Sequence, residues 1–139
     1  MGTVQRRRLP ACAFTAGAVL AVAGCASLSP DPSAAASVAT QLHQAVADGD
    51  GEAACALLAP AVIEELEDES AADCAVAVLE AEVPAPSDVL ETHAYGRQAQ
   101  VTTGRDVVFL TVSGARWVVT AAGCTPRPER PYDCTVSGG

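Results

Sequence analysis

Lysine is missing from this sequence, and aromatic side chains are few: two Phe, two Tyr and one Trp in 139 residues. The only fixed cations are arginines, so eight basic residues face seventeen carboxylates, for a formal charge of −9. Such a chain offers too few cationic contacts for nucleic acid or for anionic lipid headgroups, which excludes both as charge-driven partners. Scarce aromatics leave Ala, Val and Leu to build the core. These bury little area each, so a small domain benefits from added constraints such as disulfides. The length allows one small domain and not two. A long hydrophobic run is also absent. The uncharged apolar stretch from Ala11 to Ala23 covers thirteen residues, short of the ~20 that a comfortable bilayer span needs. There is no nucleophile elbow, no phosphate-binding glycine loop and no metal-ligand helix. No cofactor or metal is expected, and no catalytic constellation is recognisable.

What is present begins at the N-terminus. Met1 to Leu9 carries three consecutive arginines and no acid, the pattern of a secretory n-region, and the apolar run follows it. A buried N-terminal helix is the competing reading. A triple-Arg start and an Ala-Gly-Cys finish weigh against it. Val19-Leu20-Ala21-Val22-Ala23-Gly24-Cys25 resembles the lipobox of bacterial lipoprotein precursors, with Val22 in place of the usual Leu. The resemblance implies lipid on the Cys25 thiol and cleavage just before it. Small side chains at Ala23 and Gly24 suit an extended backbone entering a narrow intramembrane protease. Two acyl chains then anchor stably, at about 0.8 kcal/mol per buried methylene. The expected organisation is a signal peptide over 1–24, a lipidated Ser/Pro tether over 25–33 and one domain over 34–139. The arginine triplet also permits a twin-arginine route, but the rest of that pattern is missing, so general secretion is expected. Loss of the triplet leaves five arginines against seventeen acids, about −12. Attachment to the membrane must therefore come from lipid and not from charge.

Within the domain, Val38, Leu42 and Val46 recur at a spacing of four and predict a helix over Ala34 to Asp48. Asp48-Gly49-Asp50-Gly51 stops it, with Asp50 as the next N-cap. A calcium loop on Asp48, Asp50 and Glu52 fails, because the required glycine and distal glutamate fall on Ala53 and Ala59. Glu52 to Ala59 predicts a short helix broken by Pro60, followed by a turn or two from Val62 to Leu66 and a solvated acidic run, Glu64 to Glu69. Ser70 to Asp73 has capping-box spacing and predicts a helix to about Glu82. From Asp88 the pattern becomes alternating. Four strands are predicted, over Val89–Tyr95, Gln98–Thr103, Val107–Ser113 and Arg116–Ala122, joined by hairpin turns. Helices first and a meander afterwards give an α+β domain, with N-terminal helices packed on a four-stranded antiparallel sheet.

Four cysteines fall in the domain, while Cys12 leaves with the signal peptide. Cys55, Cys74, Cys124 and Cys134 form an even set in an exported small domain, which predicts two disulfides with three possible pairings. The favoured pairing joins Cys55 to Cys74 and Cys124 to Cys134. Zinc is the rival, but the spacings match no common zinc framework.

The run from Trp117 to Cys124 (Trp-Val-Val-Thr-Ala-Ala-Gly-Cys), then Pro126, Pro131-Tyr132-Asp133-Cys134 and Gly138-Gly139, resembles the ending of small lipoproteins from high-GC Gram-positive bacteria. Those belong to the nuclear-transport-factor-2-like (cystatin-like) superfamily. The resemblance implies a curved sheet wrapping helices into a cone and an address on the extracytoplasmic face of the cell membrane. It brings no catalytic residues. The superfamily also includes ketosteroid isomerases and polyketide cyclases. On that analogy His93 and Tyr95, two apart on one strand, are the candidate acid–base pair of an alternative, enzymatic reading. No acid is placed near them by sequence, and fold analogy alone does not make a site. The main expectation is a non-catalytic envelope lipoprotein: an accessory or sensor to envelope proteins, or a binder of a small apolar ligand. Trp117 is expected to anchor the core. Tyr132 and Asp133 are expected to clamp the C-terminal loop.

Overall fold

The computed structural model describes Gly2 and residues 31–129 and 131–138. The signal-peptide residues, the Val22-Ala23-Gly24-Cys25 lipobox and most of the tether lie outside the described residues. Helix α1 (Pro32–Ala47) starts inside the stretch expected to be tether. Asp31 caps it, its carboxylate accepting from the Ser33 N–H at 2.9 Å, and Pro32 takes the first turn, where its missing N–H costs nothing. Ala35, Ala39, Leu42, His43 and Ala45 form its buried stripe. The helix ends where Gly49 adopts φ of +73°, a left-handed value that suits glycine.

Asp50 then caps α2 (Gly51–Cys55), accepting from the Ala53 N–H at 2.9 Å. Pro60 starts helix α3 (Pro60–Ser70) instead of only ending the one before it. The acidic run lies within this helix, and all of its carboxylates are exposed. The expected capping box is corrected. Ser70 closes α3, its hydroxyl donating to the Leu66 carbonyl at 2.6 Å. Helix α4 (Cys74–Glu80) is capped instead from the preceding helix, by Glu67 of α3 accepting from the Cys74 N–H at 3.1 Å.

The sheet has six strands, not four: β1 (Val89–Tyr95), β2 (Gln98–Thr103), β3 (Val107–Ser113), β4 (Arg116–Pro126), β5 (Tyr132–Asp133) and β6 (Val136–Ser137). The first three match the sequence expectation in both bounds. β4 runs four residues past Ala122, because the C-terminal tail folds back on it. β5 pairs with Thr125 and Pro126, and β6 with Ala121 and Ala122. Every pairing is antiparallel, in the order β1-β2-β3-β4-β5 with β6 also on β4. The coarse architecture is therefore α+β, helices followed by an antiparallel sheet.

The helical half is latched to the centre of the sheet. Ala59 N–H donates to the Val119 carbonyl, and Val119 N–H to the Leu57 carbonyl, both at 2.8 Å. Leu42, Val62, Val78, Val101, Leu110, Val118 and Val119 fill the space between the layers. Trp117 is buried at the rim of this core and donates its Nε1 hydrogen to the Asp31 carbonyl at 3.1 Å, fixing the start of α1.

Candidate functional site

Four groups carry chemistry: the disulfides, a buried ionisable cluster, the outer side of β1, and a shallow depression beside α3 and α4. Cys55 bonds Cys74 and so joins α2 to α4, while Cys124 bonds Cys134 and joins β4 to the residue after β5. Tyr132 packs edge-on against Phe109, with ring centroids 4.9 Å apart, and its hydroxyl meets Gln100 Nε2 at 3.3 Å. Asp133 pairs with Arg127. Tyr132 holds the C-terminal loop to the sheet, and the Asp133–Arg127 pair closes the loop on itself.

The buried cluster joins three parts of the chain. His43 on α1 is 2 % exposed and sits 3.1 Å from Asp106 Oδ2, just before β3. The same oxygen accepts from the Gly123 N–H on β4 at 2.9 Å. Oδ1 accepts from the Thr103 hydroxyl at 2.7 Å. That hydroxyl oxygen in turn accepts from the N–H groups of Arg105 and Asp106. An ionised carboxylate only accepts, so His43 Nε2 carries the hydrogen. Burial alone pushes the Asp106 carboxyl up. The hydrogen bonds from His43 and Thr103, the electrostatic pull of His43 and the Gly123 amide outweigh it and hold the carboxyl below its ordinary value.

A carboxylate steering an imidazole is half of a nucleophilic triad, but a third group and access to substrate are both needed. The Thr103 hydroxyl is committed to Asp106, and the His43 and Asp106 side chains are closed to solvent. The cluster therefore ties α1 to the β2–β3 turn and to β4. No motif in the sequence marks this cluster. The available signal was His43 four residues after Ala39, on the apolar stripe of α1, where a lone polar side chain needs a buried partner. Asp106 sat in what read as an ordinary turn.

His93 and Tyr95 share a face, with ring centroids 6.1 Å apart and planes 22° apart. They pair with Gln100 and Gln98, which alternate with the buried Ala99, Val101 and Thr103, so their face points away from the core. Tyr95 is 71 % exposed. The carboxylate beside His93 is Glu91, at 2.9 Å and also exposed. The buried acid, Asp106, bonds toward α1 on the opposite side. These residues do not converge in a cavity.

The depression, about 200 Å³, is lined by Leu66, Glu69, Ser70, Ala77 and Glu80 among others. It is below the usual ligand-site range of roughly 300–1,000 Å³, and two carboxylates, Glu69 and Glu80, line it. Among the described residues no group of three or more His, Cys, Asp or Glu is placed to hold a metal ion, and no helix is long and apolar enough to cross a membrane. Compared with protein families, curated proteins and solved structures, the chain matches none.

Proposed function

We propose that this chain is a cell-envelope lipoprotein, anchored through Cys25 to the extracytoplasmic face of the cell membrane. Its role in this reading is non-catalytic, as an accessory or sensor to envelope proteins. What supports the proposal is the combination of two disulfides in the domain with an N-terminal segment that has the residue pattern of an export signal. Disulfides persist outside the reducing cytoplasm. An acidic domain without lysine has no electrostatic means of holding to anionic lipid, so the two acyl chains on Cys25 supply the attachment. The finer fold in this reading is the cystatin-like cone, with Val and Leu side chains and Trp117 buried between helices and sheet. Burial of these apolar side chains supports an accessory role over a ligand carrier, and the buried polar cluster of His43, Asp106 and Thr103 is closed to solvent.

The test is Cys25→Ala in the full chain, expressed in a bacterium that processes lipoproteins. The wild type should enter the detergent phase on Triton X-114 partitioning and incorporate labelled palmitate. The variant should do neither. Retention in the detergent phase by Cys25→Ala, or a wild-type product that keeps Met1 unacylated in intact-mass spectra, would overturn the proposal.

A further inference from the structure

The two edges of the sheet differ. At one edge, β5 is two residues long, lies among Pro126, Pro128 and Pro131, and is stitched down by the Cys124–Cys134 bond. That edge is blunted in the manner expected of a protein that avoids unwanted pairing. At the other edge, β1 is seven residues long, carries no Pro, and pairs on one side only, with β2, among the described residues. Its exposed side chains include Val89, Leu90 and Tyr95, with Leu90 68 % and Tyr95 71 % exposed. Of the five large hydrophobic residues exposed in the described chain, three lie on this one strand. Unpaired N–H and C=O groups along such a strand are a template for another strand.

We infer that the occupant is a second copy of this chain, joined β1 to β1 in an antiparallel two-fold pair centred on Thr92. The register follows from face and charge. A two-fold axis through the sheet must match outer face to outer face, which restricts the axis to pass at a residue and not between residues. With the axis at Glu91, Glu91 would face its own copy, and like charges directly opposite are destabilising. With the axis at His93, the two imidazoles would face each other. With the axis at Thr92, Glu91 of each copy lies opposite His93 of the other. Tyr95 of each then comes against the Val89–Leu90 step of the other. Moving the axis further along leaves at most three residues of each strand paired.

Glu91 and His93 already meet within one chain at 2.9 Å, so they share the required face. The dimer would place two such couples side by side in alternating order. The extra residue at Leu90 in the β1–β2 register bends the strand end and shortens the ladder between copies. With one short strand per copy the interface is at the small end of the usual range, so the expected dimer is reversible, with Kd in the micromolar range. It is independent of the lipid anchor.

The test is the protein mass of the full chain in a non-ionic detergent, by light scattering or sedimentation. At about 100 µM the wild type should have the mass of two chains and should dissociate on dilution. Leu90→Asp and Glu91→Lys should each raise Kd at least about tenfold, because they place a charge against an apolar side chain or a cation against His93. The swap Glu91→Lys with His93→Glu should bring Kd back to within about threefold of wild type, since it reverses both members of each cross-strand couple. Two lipid-anchored copies merely sharing a micelle would not respond to these substitutions. A wild-type chain of single mass at that concentration, for instance because the residues before Asp31 cover the edge, would overturn the inference. So would a dimer indifferent to Leu90→Asp and Glu91→Lys, or a swap no tighter than Glu91→Lys alone.

Discussion

Asp106 is the residue on which most of the buried polar chemistry converges. It accepts from a helix side chain, a turn hydroxyl and a strand amide at once. Replacement by Asn puts an N–H where an oxygen now accepts, leaving a donor of His43, Thr103 or Gly123 unsatisfied in the interior. Asp106→Asn is expected to lower unfolding free energy by about 3 kcal/mol at neutral pH, read from urea midpoints. The pH dependence has a definite sign. The carboxyl is held below its ordinary 3.8 in the folded chain, so its stabilisation is present above that value and lost as pH falls through the folded one. The gap between wild type and Asp106→Asn should therefore shrink in acid. A gap as wide near pH 2 as at neutrality would show that the charge contributes nothing. Gly51 is a second residue with a specific demand. A Cβ there would collide with the Ala75 carbonyl of α4, which is backbone and cannot swing aside. Gly51→Ala should cost about 2 kcal/mol, against the slight gain usual for that change in a helix. A stability equal to wild type would mean that α2 and α4 are packed less closely than described.

Among the elements, the two short helices depend most on help from outside themselves. α2 has five residues and α4 seven, too few to persist on their own propensity. The Cys55–Cys74 bond links one to the other, and Glu67 of α3 caps the second. Removing this bridge with Cys55→Ser and Cys74→Ser together should cost on the order of 3 kcal/mol, and removing Cys124–Cys134 somewhat less because its loop is shorter. The check is the melting temperature of each double variant beside the wild type in excess dithiothreitol. A melt unchanged by reduction would reject the two cross-links as stabilising elements. At this scale proline had two meanings. Pro60 reads as the end of one helix and Pro32 as part of a tether, yet each occupies the first turn of a helix, where the same fixed φ favours the start. Local sequence shows the break. Which side of it becomes helix depends on what the following residues pack against.

On the scale of the molecule, an acidic globule carries a longer, one-sided sheet edge at β1 and a disulfide-closed edge at β5. The net charge opposes association between copies, so any pairing at β1 relies on local complementarity of Glu91 with His93 and on covering Leu90 and Tyr95. Periodicity alone located α1 and three strands, because each has an apolar stripe or alternation that survives in any packing. The cysteine pairs were legible for a similar reason, since short separations bring their own ends together. The strands β5 and β6, the extension of β4 and the cap of α4 left no local trace. Each depends on how the chain turns back on itself: Glu67 meets Cys74 across the α3–α4 turn, and the tail after Pro126 returns along β4. His43 and Asp106 are 63 residues apart, and nothing near either one names the other. Composition and local pattern thus settled the class, the number of cross-links and most of the strands, and favoured the pairing that the structure shows, through forces acting over short separations. Which polar groups would be buried together, and which strand would be left without a neighbour, depended on the final arrangement of the layers, where burial makes an unpaired donor or acceptor costly.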